Sequence, residues 1–376
     1  MKKKLLFIIP TLTQGGAEQV IITLLNHLDK DKFSLSLMVI NMQDEVYSAQ
    51  IPTYVNLMDL KSRHVRTAIP KIVFNIWKYS PDIVMSTIGY LNLAIGMCKF
   101  LMPPKVKFFA RETIVVSERL ARARFSNVWR FWYRFYYPRF EKVICQSIDM
   151  YKDLGNVIGE DQNLVLINNP VDLEKIQNQL KVHIESRNER MFFNKATDIH
   201  FVAAGRLIDQ KGFSLLINAI GILASPRVKL AILGHGPLRV ELQNQIESLN
   251  LQDSIFLMGY QKNPYTWIDK ANAYILSSHY EGFPNVVLEA LACRTQVLST
   301  PAPGGAREIL DKINGCYVAE RIDAHSLADA MSLFIATGEI PLTSKAIEPY
   351  KIEKIIDTYT TVLLGKEIVT DQRKSF

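Results

Sequence analysis

Cysteine is scarce in this chain: Cys98, Cys145, Cys293 and Cys316 are the four among 376 residues, and none of them pair up at the spacing of a zinc ligand set. That excludes zinc-ribbon and dithiol chemistry and the cysteine-dense scaffolds of small secreted domains, and it suits a reducing compartment. Long apolar runs are missing too. No stretch reaches the ~18 residues of a membrane span. The opening MKKKLLFIIPTL imitates an export signal, but its apolar part runs only from Leu5 to Ile9 before Pro10, so it reads as a first buried strand. There is no low-complexity tract and no short-period repeat. Acid is sparse in one place: residues 99–142 hold 11 Lys+Arg against 3 Asp+Glu. The first 170 residues carry 22 basic and 14 acidic side chains and the remainder 22 and 23, so the net +7 gathers on one face of the N-terminal half.

What is present is the composition of a folded protein, 48% apolar and 22% charged, in a chain long enough for two domains. One grammar of strand, glycine turn and helix occurs twice. In the first half, the strand Leu5 to Ile9 runs into the turn Thr13-Gln14-Gly15-Gly16. Ala17, Val20, Ile21, Leu24, Leu25 and Leu28 then recur at helical spacing. Further strands are predicted at Ser34 to Ile40, Ile83 to Ser86, Lys107 to Ala110 and Lys142 to Gln146. After a polar stretch, strands recur at His200 to Ala204, Lys229 to Leu233, Ser254 to Met258, Ala273 to Leu276 and Gln296 to Ser299. Strands alternating with helices define an α/β protein with two doubly wound parallel sheets. The predicted boundaries are 1–172 and 173–349, followed by 350–376. In that last segment Ile352, Ile355, Ile356, Tyr359 and Val362 mark a late helix.

In open α/β sheets ligands bind outside the carboxyl ends of the strands, where helix N-termini offer free N–H groups and partial positive charge. Three turns at such ends carry candidate chemistry. The run Gly205-Arg206-Leu207-Ile208-Asp209-Gln210-Lys211-Gly212 places a forked and a point cation where a diphosphate would sit. Gly234-His235-Gly236 ends the next strand with small residues that admit a close backbone approach. Glu281 precedes a helix opened by Phe283-Pro284-Asn285, and Glu289 lies two turns along it. About 12 Å of helical rise separates the two acids. That is too far to share a proton or to form a glycosidase pair, which needs carboxyl groups about 5 to 9.5 Å apart. They suit two ends of one hydroxyl-rich ligand. Glycine turns are also common structural punctuation, and Arg206 and Lys211 can equally be solvated, so no one of these turns decides the function. The literal Asp29-Lys30-Asp31 falls at a helix end and reads as a surface turn.

Taken in order, GGAE near the N-terminus, GRLIDQKG, LGHGP, FLMGY and EGFPNVVLE resemble the retaining glycosyltransferases of the GT-B fold, family 4 type, that make bacterial surface glycans. The resemblance covers nearly the whole chain. It implies two Rossmann-like domains facing across a cleft, an acceptor domain first and a nucleotide-sugar domain second, with the closing helix crossing back to the first. Carried over position by position, it implies that Arg206 and Lys211 clamp the donor diphosphate and that Glu289 takes hydrogen bonds from ribose hydroxyls. Glu281, with the backbone at Gly282, Phe283 and Asn285, would hold the transferred sugar. Gly15, Gly16, Gly234, Gly236 and Tyr260 would line the donor. No metal or other cofactor is implied, and a UDP-sugar is favoured over a GDP-sugar. Many relatives carry a His on a first-domain loop near the sugar, where this chain has Arg111 and Glu112, which take that place as candidates.

Residues 119–140, RLARARFSNVWRFWYRFYYPRF, interleave arginines with aromatic rings. A lipid–water interface suits this mixture. A core helix with solvated arginines, or a surface that stacks nucleic-acid bases, would show it as well. The resemblance favours lipid, through Arg122, Arg124, Trp129, Arg130, Trp132 and Arg134, because many relatives extend a glycan on a polyprenyl diphosphate. The expected partners are therefore a nucleotide sugar, a lipid-linked acceptor and an anionic membrane surface, without nucleic acid. The expected location is cytoplasmic, peripheral on the inner face of the cell membrane. A nucleotide-sugar epimerase on the same scaffold and an idle sugar-nucleotide or membrane-binding protein are the competing readings.

Overall fold

The computed structural model describes residues 1–13, 15–43, 47–159, 162–182 and 184–366. Gln14 of the first glycine turn and the end of the 350–376 segment lie outside the described residues. The chain forms two compact units: Met1–Pro170, to which it returns from Ile352 on, and Val171–Lys351.

The first unit is built on seven parallel strands, β1 (Lys3–Thr11), β2 (Phe33–Asn41), β3 (Asn56–Asp59), β4 (Ile83–Thr87), β5 (Lys107–Arg111), β6 (Lys142–Cys145) and β7 (Leu164–Leu166), in the order β3-β2-β1-β4-β5-β6-β7. Strand β1 pairs with β2 from Lys3↔Phe33 to Thr11↔Asn41 and with β4 from Leu5↔Ile83 to Ile8↔Ser86. The strand order reverses between β1 and β4, and a crevice opens there in such sheets. Apolar residues fill both faces. Leu6, Ile8 and Val84 join one cluster, while Leu5, Phe7 and Ile9 join the other. Burial on both faces is why β1 reads as a continuous apolar run instead of an alternating one. The helix Ile352–Leu363 completes the second cluster with Ile355, Tyr359, Val362 and Leu363.

The second unit holds six parallel strands, β8 (Ile199–Ala204), β9 (Val228–Leu233), β10 (Ile255–Gly259), β11 (Ala273–Leu276), β12 (Gln296–Ser299) and β13 (Tyr317–Val318), in the order β10-β9-β8-β11-β12-β13. Here the order reverses between β8 and β11. Every strand expected from sequence is present, and three others appear: β3, β7 and β13. Asp29 and Asp31 form a surface turn, in which the Asp31 amide donates to Asp29 Oδ1 at 2.8 Å and the carboxylates pair with Lys32 and Lys2.

Candidate functional site

The loops after β8, β11 and β12 converge at the carboxyl edge of the second sheet. After β8 the chain passes Gly205 and Arg206, makes the short 3-10 turn Asp209–Lys211 and enters the helix Phe213–Leu223. Strand β11 ends at Leu276, and Ser277 to Pro284 lead into the helix Asn285–Ala292. Two hydrogen bonds tie the loops together: the His279 amide donates to the Gln210 carbonyl at 2.9 Å, and the Gln210 side chain donates through Nε2 to the Tyr280 carbonyl at 3.0 Å.

Within this frame Lys211 Nζ donates to Glu281 Oε1 at 2.7 Å, and Ser278 Oγ donates to the same oxygen at 2.6 Å. Glu281 is buried, and Lys211 keeps part of its side chain in solvent. Thr300 Oγ1 donates to the Ser278 carbonyl at 2.6 Å and anchors that turn to the end of β12. The next loop closes over the backbone of the acid: the Glu281 amide donates to the Pro303 carbonyl and the Gly305 amide to the Gly282 carbonyl, each at 2.9 Å. Gly304 sits at φ +123°, where an added Cβ would lie 2.6 Å from the Glu281 carbonyl oxygen, so only glycine fits. Sequence reasoning assigned no role to Ser278, Thr300 or the pair Gly304-Gly305. The last could have been found, because a glycine pair between a strand and the short helix Ala306–Leu310 repeats the grammar of the other turns.

Arg206 is exposed on the same loop as Lys211, with no ion pair among the described residues. Phe283 is buried, its ring 5.6 Å from that of Tyr350, and Asn285 opens the helix half-buried. Glu289 lies on this helix, with Tyr265 Oη 3.5 Å from Oε1. Its side chain is half-buried by surface area, yet protein atoms crowd the carboxyl closely. That desolvation pushes its pKa up to about 7, against the opposing pull of Lys175 and Tyr265. Gly234 and Gly236 serve loop packing: Gly234 has φ +136° with the Gly205 carbonyl against it, and Gly236 lies against the Leu207 backbone. Tyr260 is exposed, 6.1 Å edge-on from His235.

In the first unit Gly15 and Gly16 open the helix Gly16–His27, and the Glu18 carboxylate folds back over Gly15, where an anion would otherwise meet the helix N-terminus. Arg111 and Glu112, expected to face the sugar, are enclosed instead. Arg111 is 0% exposed; its Nη2 donates to Asn169 Oδ1 at 2.6 Å and its Nε to Tyr359 Oη at 3.2 Å. Glu112 accepts from the Tyr137 hydroxyl and from Asn92 Nδ2, and burial holds its carboxyl above the usual range. The physical reason is position: β5 is an interior strand, and at its end Arg111 is met by Asn169 and by Tyr359 of the returning helix, while Glu112 is met by Asn92 and by Tyr137 of the turn after Ser126–Tyr136.

That helix also revises the expected lipid contacts. Trp129 and Trp132 pack against the core of the first unit, Arg134 Nε donates to the Val157 carbonyl at 3.0 Å, and Arg122 pairs with Glu118 at 3.2 Å. Arg122, Arg124 and Arg134 are nonetheless exposed, and Arg130 is half-buried.

A fold of two parallel-sheet α/β units, with cations and acids gathered on the carboxyl edge of the second sheet, defines the GT-B class. Two family models match in succession: Glycosyltransferase Family 4 over residues 14–175 and Glycosyl transferases group 1 over residues 185–348. With both covered in order, the chain belongs to these glycosyltransferases. It is 29% identical over 250 residues to an uncharacterized glycosyltransferase of Methanocaldococcus jannaschii, spanning 64% of this chain and 60% of that one. It is 28% identical to the N-acetylgalactosamine-N,N'-diacetylbacillosaminyl-diphospho-undecaprenol 4-alpha-N-acetylgalactosaminyltransferase of Campylobacter jejuni, over 82% of this chain and 83% of that protein. Among solved structures, Anabaena HepE in complex with UDP-glucose superposes with a TM-score of 0.77 at 17% identity, over 96% of this chain and 99% of that one.

Proposed function

We propose that the protein moves a sugar, with retention of anomeric configuration, from a nucleotide sugar to a saccharide carried on a polyprenyl diphosphate in surface-glycan assembly. The observation that carries this reading is the buried contact of Lys211 with Glu281 beside exposed Arg206, at the carboxyl edge of the sheet. Departure of a nucleotide diphosphate develops negative charge on phosphate, and fixed cations aimed at that charge lower the barrier. Lys211 is held in one place by Glu281, which Ser278 fixes in turn, while part of the lysine stays reachable, so it meets the diphosphate without reorganising. Arg206 adds a fork for the second phosphate. Glu281 and the backbone from Gly282 to Asn285 hold the transferred sugar, and Glu289 accepts from the ribose hydroxyls. UDP-sugars are the donors of choice, and the chemistry assigned to these residues uses no metal.

The acceptor class is supported by the Campylobacter relative, whose name specifies a diphospho-undecaprenol saccharide. A second Campylobacter relative, 25% identical over 84% of this chain, is named for a PP-undecaprenol acceptor too. Such an acceptor puts the enzyme at the cytoplasmic face of a membrane. The test is incubation with a panel of UDP- and GDP-sugars, with and without a polyprenyl-diphosphate saccharide, and the anomeric configuration of the product read by NMR. Transfer that needs the acceptor and gives the donor's anomer is expected. Inversion would remove the retaining assignment, and an isomerised nucleotide sugar without acceptor would make the protein an epimerase.

A further inference from the structure

The first unit leaves a connected set of large apolar side chains outside its core. On the helix Val65–Tyr79, Ala68, Ile72 and Ile76 are buried, whereas Phe74 and Trp77, three residues apart and so on one face, point away. Trp77 Nε1 donates to the Leu101 carbonyl at 2.9 Å, joining this face to the turn Lys99–Leu101. Lys99 Nζ in turn donates to the Arg139 carbonyl. The Arg139 guanidinium lies 4.2 Å from the centre of the Phe135 ring, and Phe135 stacks on Phe131 at 6.0 Å with 9° between planes. Phe74, Trp77, Phe100, Leu101, Phe131 and Phe135 are between 48% and 77% exposed. The helix Ser126–Tyr136 thus has an inward stripe, Trp129, Trp132, Tyr133 and Tyr136, and a separate outward one that includes Phe131 and Phe135. An exposed apolar set of this size marks an interaction surface.

The surrounding charge identifies the partner. Residues 61–142 hold 16 Lys+Arg, of which Arg111 is buried, and only 4 Asp+Glu. All four acids are engaged: Glu112 is buried, and Glu118, Glu141 and Asp82 pair with Arg122, Lys107 and Lys3. Aromatic rings set in a field of one sign match an anionic bilayer, where rings enter the headgroup zone and cations meet lipid phosphate. We propose that this face, formed by the helices Val65–Tyr79 and Ser126–Tyr136 with the turn Lys99–Leu101 beside them, docks the protein on an anionic membrane by inserting Phe74, Trp77, Phe100, Phe131 and Phe135. The inference rests on the lipid-linked acceptor for its purpose, and on the exposed rings and charge for its existence.

The test is flotation of the full chain, without donor or acceptor, on vesicles of equal parts phosphatidylglycerol and phosphatidylcholine and on phosphatidylcholine alone. The parent should bind the mixed vesicles best. Replacing Phe74, Phe131 and Phe135 together by Ser should weaken binding by about tenfold or more while the circular dichroism spectrum is kept. Brominated acyl chains should quench tryptophan emission in the parent, and Trp77→Phe should remove that quenching while leaving flotation nearly unchanged. Three results would overturn the proposal: no flotation of the parent, undiminished flotation of the triple variant, or a parent dimer that the triple variant turns into a monomer with no vesicle binding in either. Flotation without sugar transfer would remove the acceptor reading and leave this surface in place. Transfer without flotation would do the reverse.

Discussion

At the scale of single residues, the site is a set of side chains whose partners constrain what each can do. Lys211→Ala removes the cation nearest Glu281 and Arg206→Ala the exposed fork beside it. Each should lower turnover by at least about tenfold; Arg206→Ala should leave the melting temperature nearly unchanged, whereas Lys211→Ala should also lower it, because it leaves buried Glu281 without its cation. Steady-state kinetics beside a melting curve checks both, and unchanged rates in both variants would dismiss the clamp. Ser278→Ala takes one of two donors from Glu281 Oε1 while Lys211 still holds it. A several-fold fall in turnover is expected, smaller than that of Lys211→Ala. Glu289 brings pH into the reading. Its carboxyl, pushed up to about 7 by burial, is protonated at lower pH and then cannot accept from both ribose hydroxyls. Donor affinity should therefore be highest well above pH 7 and fall as pH drops through it, by calorimetric titration. Glu289→Gln should flatten that profile. Stability runs in the opposite direction: a carboxyl whose folded pKa is raised binds its proton more tightly in the folded state, so stability falls as pH rises from the unfolded value of 4.5 to about 7 and levels off above it. Glu289→Gln should accordingly raise the melting temperature above pH 7 and change it little in acid.

At the scale of elements, the strands that sequence revealed are mostly those buried on both faces, with the half-buried edge strand Ile255–Gly259 as the exception. Leu5 to Ile9, Ile83 to Met85 and Ala273 to Leu276 are unbroken apolar runs, and each lies in the interior of its sheet. The strands it missed differ physically. Asn56–Asp59 and Tyr317–Val318 are sheet edges with little buried surface, and Leu164–Leu166 is an edge of only three residues. None generates enough apolar periodicity to register. The cations and acids of the second unit were legible because a glycine turn after a strand has to lie at the carboxyl edge. Ser278 and Thr300 were not, since a hydroxyl carries no pattern and gains meaning only when folding sets it against Glu281 or its turn. Charge was legible in amount and misleading in direction: Trp129 and Trp132 turned inward and Phe131 and Phe135 outward, because the helix Ser126–Tyr136 has two apolar stripes. At the loops themselves, Gly234→Ala and Gly304→Ala should each destabilise the second unit by more than about 1 kcal/mol, since both positions need positive φ and abut a carbonyl. Thermal unfolding of each variant is the measurement, and parental melting would show that the loops can move apart.

At the scale of the whole molecule, the chain leaves its first unit at Pro170 and re-enters it at Ile352, and the return is secured by chemistry as well as by packing. Arg111, at the end of β5, reaches both Asn169, just before the chain departs, and Tyr359, on the helix that comes back. One buried guanidinium therefore fastens the exit and the re-entry of the polypeptide to the same sheet. A cation so enclosed is costly unless its donors are met, and removing one acceptor leaves an N–H stranded where water does not reach. Tyr359→Phe keeps the ring inside its apolar cluster and deletes only the hydroxyl that Arg111 Nε meets at 3.2 Å. The expected loss is about 1 to 3 kcal/mol of unfolding free energy by urea titration. Turnover per folded molecule should be unchanged, since in this placement Arg111 acts by holding the returning helix. A variant that melts like the parent yet loses activity would instead return Arg111 to the substrate side, where the sequence had put it.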